Sequence, residues 1–561
     1  MPKISLVGQS YTLRSLTAGA QASINVYPEV FQDPNNKTEN IGMLYGIPGR
    51  HVFSNPGLSG VCRGIWTGGG RCFVAIGTQY CELNSAGAII YGPYTISNAT
   101  VFGFANSPVQ FFANGSQLFI VSGGVAYIDG GAGPVVISQA DSTGQVAAFG
   151  TGVGWASGDK FVDDGSWVGK TININGTNYT IAGTPTAGGP PFSPTQDQLY
   201  TTGAVGVTSP PTYPYTVAGS QFPFAAVTGA FLDNSFWFNI PFTRIAKFSN
   251  VDNGALWNGL DFITKNSWPD HIMSILADSS QIYLWGDQSF EVWQANPGST
   301  TNFFTRIDGA SARIGSISPW GPISIDGHVY FIGSGDQGRP TAYILNGFTP
   351  TRISQHGQEE VWYANHFGPG CISYTYQEEG HTFWCINFGA QTWCFDTTTG
   401  AWHQRMAGPY TAFTAYPTAY HSYIPEFGNG KHLTCGPLDG IIYESSTAFY
   451  DDAGANIAWQ RALPYQYNGR MRLYDRRLEL ELETGTTPSG TPNILLEISD
   501  DRGHTFTTVG AASVGASGDY TIRVFWPALG SYYERVYRFS GSSQGRVALI
   551  DAELDQELGT V

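Results

Sequence analysis

The chain is short of charge. Only 12 % of its 561 residues are Asp, Glu, Lys or Arg, about half of the usual ~25 %. Surface helices need Lys, Glu and Arg on their outer faces, so this shortage excludes an all-α fold and argues against a parallel α/β sheet. Long apolar runs are also missing. No stretch approaches the ~18 residues that cross a bilayer, and the start, MPKISLVGQSYTLRSL, lacks the apolar core of a signal peptide. There are seven cysteines, an odd number with no CxxC pair; this predicts reduced, mostly buried thiols in a protein that folds in a cytoplasm. Basic residues are the scarcer sign, 27 against 43 acidic, for a net charge of −16. An acidic chain does not grip phosphate backbones over large areas, which argues against sequence-reading nucleic-acid binding.

Glycine and aromatics are abundant: 71 Gly, 34 Phe, 30 Tyr and 15 Trp. That mixture suits many short strands joined by tight turns. Strand-like segments come in groups, such as Cys62–Trp66, Cys72–Ile76 and Tyr80–Leu83, then Val109–Ala113, Leu118–Ser122 and Val125–Ile128. Further groups follow between Phe231 and Tyr443. Units of about 40–50 residues with three or four strands each are the period of propeller blades. The expected fold is therefore all-β: a β-propeller of six or seven blades, with a β insertion and a C-terminal antiparallel β-sandwich platform domain.

The domain reading is an N-terminal arm packing on the platform (1–56), first blades (57–138), a Gly/Pro-rich β insertion (139–226), remaining blades (227–452) and the sandwich (453–561). Within the insertion, Thr171–Ile181 reads as a hairpin with Asn175-Gly176 as a type I′ turn. Within the sandwich, Leu478-Glu-Leu-Glu-Leu-Glu483 alternates strictly, the pattern of a half-buried strand.

Chemical motifs are few. Gly165-Ser-Trp-Val-Gly169-Lys170-Thr171 ends like a phosphate-binding loop, but Asp164 stands where the first glycine is needed. A period-2 strand follows instead of a helix, so it reads as a turn before a hairpin. Ser499-Asp-Asp501-Arg-Gly503-His-Thr505-Phe506 resembles the Asp box of sialidase-like propellers, where it shapes a hairpin turn. The ten histidines show no metal-ligand spacing, and His403 reads as packed or surface. Glu359-Glu360 and Glu378-Glu379 would point to opposite faces if on strands, so neither pair flanks one bond, and both read as solvated turn charges. Cys72, Cys81, Cys385 and Cys394 read as small core residues. No GxSxG elbow supports a serine nucleophile. No catalytic residue, cofactor site or metal site is expected. The densest positive stretch, Arg461, Arg470, Arg472, Arg476 and Arg477, reads either as a sandwich surface bridging nearby carboxylates or, at Arg470, Arg472, Arg476 and Arg477, as a dock for an acidic partner.

Several segments in shared order resemble one family, the tail nozzle or tail hub proteins (packaged-DNA stabilisation proteins) of short-tailed bacteriophages. They are Ser23-Ile-Asn25-Val-Tyr-Pro28-Glu29, Gly46-Ile-Pro48-Gly49, Cys62-Arg63-Gly64, Leu284 to Trp293 with its Gly-x-x-x-x-Glu-x-Trp pattern, Gly333-Ser-Gly335 through Tyr343, Arg352-Ile-Ser354 and Leu433-Thr-Cys435-Gly436. The terminal segments Ile498–Phe506 and Arg523 to Arg538 complete the likeness, which omits 139–226. The resemblance implies a non-enzymatic virion protein, assembled in the host cytoplasm. It implies a homohexameric ring below the adaptor ring that retains packaged double-stranded DNA and forms the ejection conduit. Its partners would be the head-to-tail adaptor, tail fibres or tailspikes, a needle or plug, and DNA passing through. Six acidic copies, about −96 together, would repel phosphate and let DNA slide. The residues gating such a channel are not given by the sequence. The competing readings are a carbohydrate-binding or glycan-cleaving β-propeller, and a monomeric propeller that binds ligand through 139–226.

Overall fold

The computed structural model describes residues 3–559 apart from 13–19, 33–39, 138–140, 150–151, 159–170, 175–176, 184–197, 203, 205–212, 219–224, 258–260, 298–302, 336–337, 366–367, 369 and 470. Among the described residues, seven antiparallel blades form a closed ring. The first runs from Cys62–Gly68 out to Ile89–Thr95, and the second from Gln110–Ala113 to Pro134–Val136. The third runs from Gly229–Leu232 to Phe262–Thr264, and the fourth from Ile272–Asp278 to Phe304–Ala312. The fifth has its inner strand split into Gly315–Ser316 and Ile323–Ile325, and the sixth runs from Ile372–Glu378 to Ala401–Ala407. The seventh has Tyr420–Ile424, Lys431–Cys435 and Ile442–Ser446, and takes its outer strand, Gly49–Ser54, from the other end of the sequence. The inner strand of the seventh blade packs against that of the first, which completes the circle.

Blades stack face on face, so their middle strands are buried on both sides and lose the alternation of a half-buried strand. Ser235–Asn239, Leu118–Ser122 and His381–Asn387 are buried along their whole length. Each interface is a separate aromatic layer. Phe73 and Phe111 pack between blades one and two, and Phe119, Phe236 and Trp257 between two and three. Trp362, Trp384 and Trp402 fill the layer between five and six.

Between blades two and three, six strands close into a small barrel spanning Asp141–Phe149 to Tyr213–Ala218. Val153, Ile172, Ile174 and Ile181 are buried in it. Ile174 pairs with Thr177, so the expected hairpin joins through two residues, and Asn175-Gly176 themselves lie outside the described residues. The phosphate-loop look-alike Gly165–Lys170 also lies outside them, and Thr171 opens a strand.

The sandwich has two sheets. One orders Val26–Gln32, Asn40–Gly46, Ala548–Leu558, Leu473–Leu482 and Val524–Tyr532. The other contains Ala455–Ala462, Glu534–Ser543, Asn493–Ser499 and Thr507–Ser513, with Ala20–Ile24 alongside. Leu44, Trp459, Leu478, Leu496, Trp526 and Phe539 meet between them. The N-terminal stretch is thus divided. Its strands Ala20–Ile24, Val26–Gln32 and Asn40–Gly46 go to the sandwich, while Gly49–Ser54 belongs to the propeller. Pro28 hides the first of these strands in the sequence; it is tolerated because Val26–Gln32 is an edge strand, where no ladder donor is needed on the open side.

Candidate functional site

The segments that carry the resemblance are spent on architecture. Asn25 adopts a left-handed backbone conformation, φ 58°, which Asn tolerates better than most residues. Its Nδ2 donates to the Met406 carbonyl at 2.8 Å and the Ala458 carbonyl at 2.7 Å, and its Oδ1 accepts from the Met406 amide at 2.9 Å. One side chain therefore ties the sixth blade to the sandwich. Beside it, Arg461 is fully buried. Its Nε donates to the Leu6 carbonyl at 2.8 Å, Nη1 to Ser23 Oγ at 2.9 Å and Nη2 to Gln21 Oε1 at 3.2 Å. Burial pulls its pKa down to about 9. Cavities of about 260 and 370 Å³ flank Ile47 and Ile457 at this junction.

A second group closes the ring. Cys62 and Cys435 are joined in a disulfide between blades one and seven, which corrects the expectation of reduced thiols throughout. The pairing is invisible in sequence because 373 residues separate the partners. The thiols of Cys72, Cys81 and Cys371 are buried, and burial pushes each up to about 12. Arg63 is buried and donates to the carbonyls of Ser107, Gly77 and Ser97 at 2.9, 2.7 and 3.0 Å. These bonds anchor the loop from the first blade to the second. That loop lays Phe104 edge-on against Trp320 of the fifth blade, 6.0 Å between ring centres, and Phe102 against Phe242 of the third blade at 4.9 Å. It thereby reaches across one mouth of the propeller axis, over a cavity of about 430 Å³.

The Gly-x-x-x-x-Glu-x-Trp pattern is also structural. A Cβ on Gly286 would lie 1.9 Å from the Asp270 carboxylate, which is held by Lys265 and by the Ser289 amide at 2.9 Å. Glu291 accepts from the Ser267 amide and from Trp293 Nε1, both at 2.8 Å. Arg352 and Ser354 hold Glu359, with Arg352 Nε and Ser354 Oγ both 2.6 Å from Oε1.

The acidic pairs differ from their sequence reading. Glu359 and Glu360 lie on the helix His356–Ala364, and Glu359 is buried. Glu378 and Glu379 converge on Thr447, because φ 49° at Glu379 turns the chain between them. Burial pushes the Glu378 carboxyl above its ordinary range. His403 is packed in the core next to Arg405, 3.3 Å from its Nε. The Asp-box segment forms the expected turn: Asp501 accepts from the Thr505 amide at 2.8 Å, and Ser499 Oγ from the Gly503 amide at 2.7 Å. No group of three or more metal-ligating side chains is found among the described residues.

The basic cluster does not act as one patch. Arg461 is buried, and Arg470 lies outside the described residues. Arg476 meets Glu557 at 2.6 Å and Arg477 meets Glu479 at 3.3 Å. Asp475 turns inward to Tyr537 and to Gln556 Nε2 at 3.0 Å. Arg472 alone of the described four stands exposed without a carboxylate, between the rings of Tyr474 and Tyr533.

A half-buried histidine pair of blade seven reaches the inner strand of blade six. His421 Nδ1 lies 2.6 Å from the Thr375 carbonyl and Nε2 lies 3.0 Å from His432 Nδ1. Burial, then the neighbouring His432, holds His421 down at about 3. The unfolded chain takes this proton near pH 6.5 while the folded chain refuses it, so stability is full above pH 6.5 and falls as pH drops toward 3, by about 1.4 kcal/mol per unit. Between pH 7 and 5 the wild type should lose about 2 kcal/mol more than His421→Phe in urea titrations. Equal losses would contradict this assignment.

Comparison with known proteins gives two family matches. Residues 241–441 match the family described as bacteriophage P22 Gp10, β-propeller, and residues 458–557 match bacteriophage P22 Gp10, β-sandwich. No curated protein matches the chain. Among solved structures, the extracellular domain of a hybrid two-component system from B. thetaiotaomicron shares 9 % identity at a TM-score of 0.35. That alignment covers 83 % of this chain and 45 % of the other, so the chain spans under half of that protein's length. The Pan2 WD40 domain of Neurospora crassa shares 6 % identity at 0.34, covering 72 % and 95 %. An exo-β-1,3-galactanase from Phanerochaete chrysosporium shares 10 % at 0.23, covering 76 % and 97 %.

Proposed function

Because the chain belongs to the bacteriophage P22 Gp10 family of phage tail structural proteins, we propose that it forms the hexameric nozzle of a short tail. In this reading the ring attaches below the adaptor, retains packaged double-stranded DNA and serves as the conduit for ejection. The observation that carries it is the ordered match of propeller and sandwich on one chain. The structure is consistent with a scaffold role, since the shared motifs hold blades and domains together instead of lining a reaction centre. The loop carrying Phe104 obstructs one mouth of the single propeller, so the DNA path in this reading runs between copies. A net charge of −16 per copy suits a wall along which phosphate slides without sticking. Fibres or tailspikes, and a needle or plug, are the further partners of such a ring.

Class averages of negatively stained full-length protein, co-expressed with the neighbouring adaptor gene product, test this. Six-fold rings with a central pore are the expected outcome. Monomeric discs in every preparation would overturn it and direct attention to glycan binding.

A further inference from the structure

Cys385 and Cys394 stand directly opposite each other on neighbouring strands of the sixth blade, His381–Asn387 and Thr392–Asp396. The Phe388 amide donates to the Gln391 carbonyl and the Thr397 amide to the Thr382 carbonyl, both at 2.9 Å. Hydrogen-bonded pairs alternate with open pairs along an antiparallel ladder. Counting inward from either of these bonds places Cys385 and Cys394 at an open pair, where Cα atoms lie about 4.5 Å apart. A disulfide bridges about 4.4–6.8 Å. The Cys394 thiol donates to Cys385 Sγ at 2.7 Å, and both side chains are fully buried.

The other buried thiols lack this arrangement. Cys72 faces Leu83 and Cys81 faces Val74, so these two are diagonal neighbours, about 7–8 Å apart and beyond the reach of a disulfide. Cys371 packs in a different layer, between blades five and six.

The charge around the opposed pair is also unusual. Arg405 is buried, and the neighbours that act most strongly on it are Tyr376, Cys394 and Cys385, with no carboxylate among them. Its Nη2 donates to the Tyr376 hydroxyl, and its Nε donates to His403 Nε2 at 3.3 Å. Burial keeps that imidazole neutral. Glu378 feels the same guanidinium, but burial holds its carboxyl above the ordinary range. A buried cation is costly without an anion beside it, and a thiolate at Cys385 supplies one. Burial pushes the Cys385 thiol up, yet the Cys394 thiol and Arg405 outweigh this and hold it below its ordinary value. Burial, then Cys385, pushes Cys394 well above. One sulfur is thus the nucleophile and the other keeps its proton.

We propose that Cys385 and Cys394 form an oxidation site, a dithiol that closes to a disulfide under peroxide and ties the middle strand of the sixth blade to its neighbour. Cys385 Sγ attacks one peroxide oxygen: an S–O bond forms, the O–O bond breaks and hydroxide leaves. Cys394 Sγ then attacks Cys385 Sγ, and the S–S bond forms as the bound oxygen departs with the Cys394 proton as water. Two electrons pass from the sulfurs to peroxide. The pair shares its packing layer with Ile47 and Tyr416, which also line the junction cavity of about 370 Å³, so a small uncharged oxidant has a way toward it. A reducing cell keeps the pair as thiols, and a particle outside the cell meets the oxidant. The bond forms within one chain, so it stands apart from the nozzle reading.

The test treats the full-length folded chain with hydrogen peroxide, unfolds it in iodoacetamide and cuts it with trypsin. One tryptic peptide, 353–405, carries Cys371, Cys385 and Cys394. It should pass from three alkyl groups to one and lose two hydrogens, while Cys72 and Cys81 react about ten-fold more slowly or less. A chain isolated already closed should open under a thiol reductant and close again with peroxide. Cys394→Ser removes the second thiol and should leave a sulfenic acid on Cys385 that dimedone captures, whereas Cys385→Ser should give no capture at Cys394. Thermal unfolding checks that both variants fold, and the wild-type peptide gives its answer without them. Three alkyl groups retained after peroxide, or equal loss at Cys72, Cys81 and Cys371, would overturn the site. Capture at Cys394 instead of Cys385 would overturn the assigned order of attack.

Discussion

Alanine in place of Gly49 is expected to unseat the strand that closes the propeller, lowering stability by more than about 3 kcal/mol. A Cβ at this position would lie 2.4 Å from the Asp451 carbonyl oxygen and 2.5 Å from that of Phe449. Both are backbone atoms, which cannot swing aside as a side chain can. The Gly49 amide also donates to the Phe449 carbonyl at 2.9 Å. Displacing Gly49 breaks this bond and pulls on the ladder from Ser54–Ile442 to Gly49–Ser446. Beyond the local clash, an exposed edge on Ile442–Ser446 would be left free to pair with other chains. Thermal unfolding together with light scattering checks this: a lower first transition and early aggregation are expected, and an unchanged profile would contradict the assignment of Gly49 to a close backbone approach.

Arg461→Met is expected to cost about 3–5 kcal/mol, although methionine fills similar volume and is less costly to bury. Replacing a buried ion by an apolar residue is often tolerated when its partners leave with it. Here they stay. The Leu6 carbonyl, Ser23 Oγ and Gln21 Oε1 would each lose a donor inside the protein. Because those partners belong to the N-terminal stretch, the loss should release that stretch first. Hydrogen exchange is the suitable measurement: faster exchange in 20–24 and 455–462, with the blades unaffected, is the expected pattern. Uniform exchange across the chain would show that Arg461 is not the anchor.

What could be read from sequence depended on which faces are buried. The alternation of Leu478, Leu480 and Leu482 with glutamates marks the sandwich without ambiguity, because one face of that sheet is wet. The blades were legible only as a rhythm. Their middle strands are buried on both faces, so continuous apolar runs such as Ser235–Asn239 carry no period, and the blade count stayed open between six and seven. The seventh blade was the difficulty, since it borrows Gly49–Ser54 from a distant part of the chain and so appears one strand short where it stands in sequence. The barrel betrayed itself through one hairpin; the closure of its other strands depends on pairings that no local pattern encodes.

The arginine cluster was half legible. Arg472 stood out within a cluster of arginines, but sequence could not separate it from Arg461, which is buried, or from Arg476 and Arg477, which are paired.

The route of the first 54 residues has a consequence for synthesis. Gly49–Ser54 leaves the ribosome well ahead of its partner Ile442–Ser446, which follows roughly 390 residues later. At ~5–20 residues per second, that strand waits on the order of 20–80 s without its ladder. A chain broken off before residue 442 has no means of closing its propeller. Only translation products that reach the sandwich can present finished subunits, so the topology itself sorts truncated chains out before any particle is built.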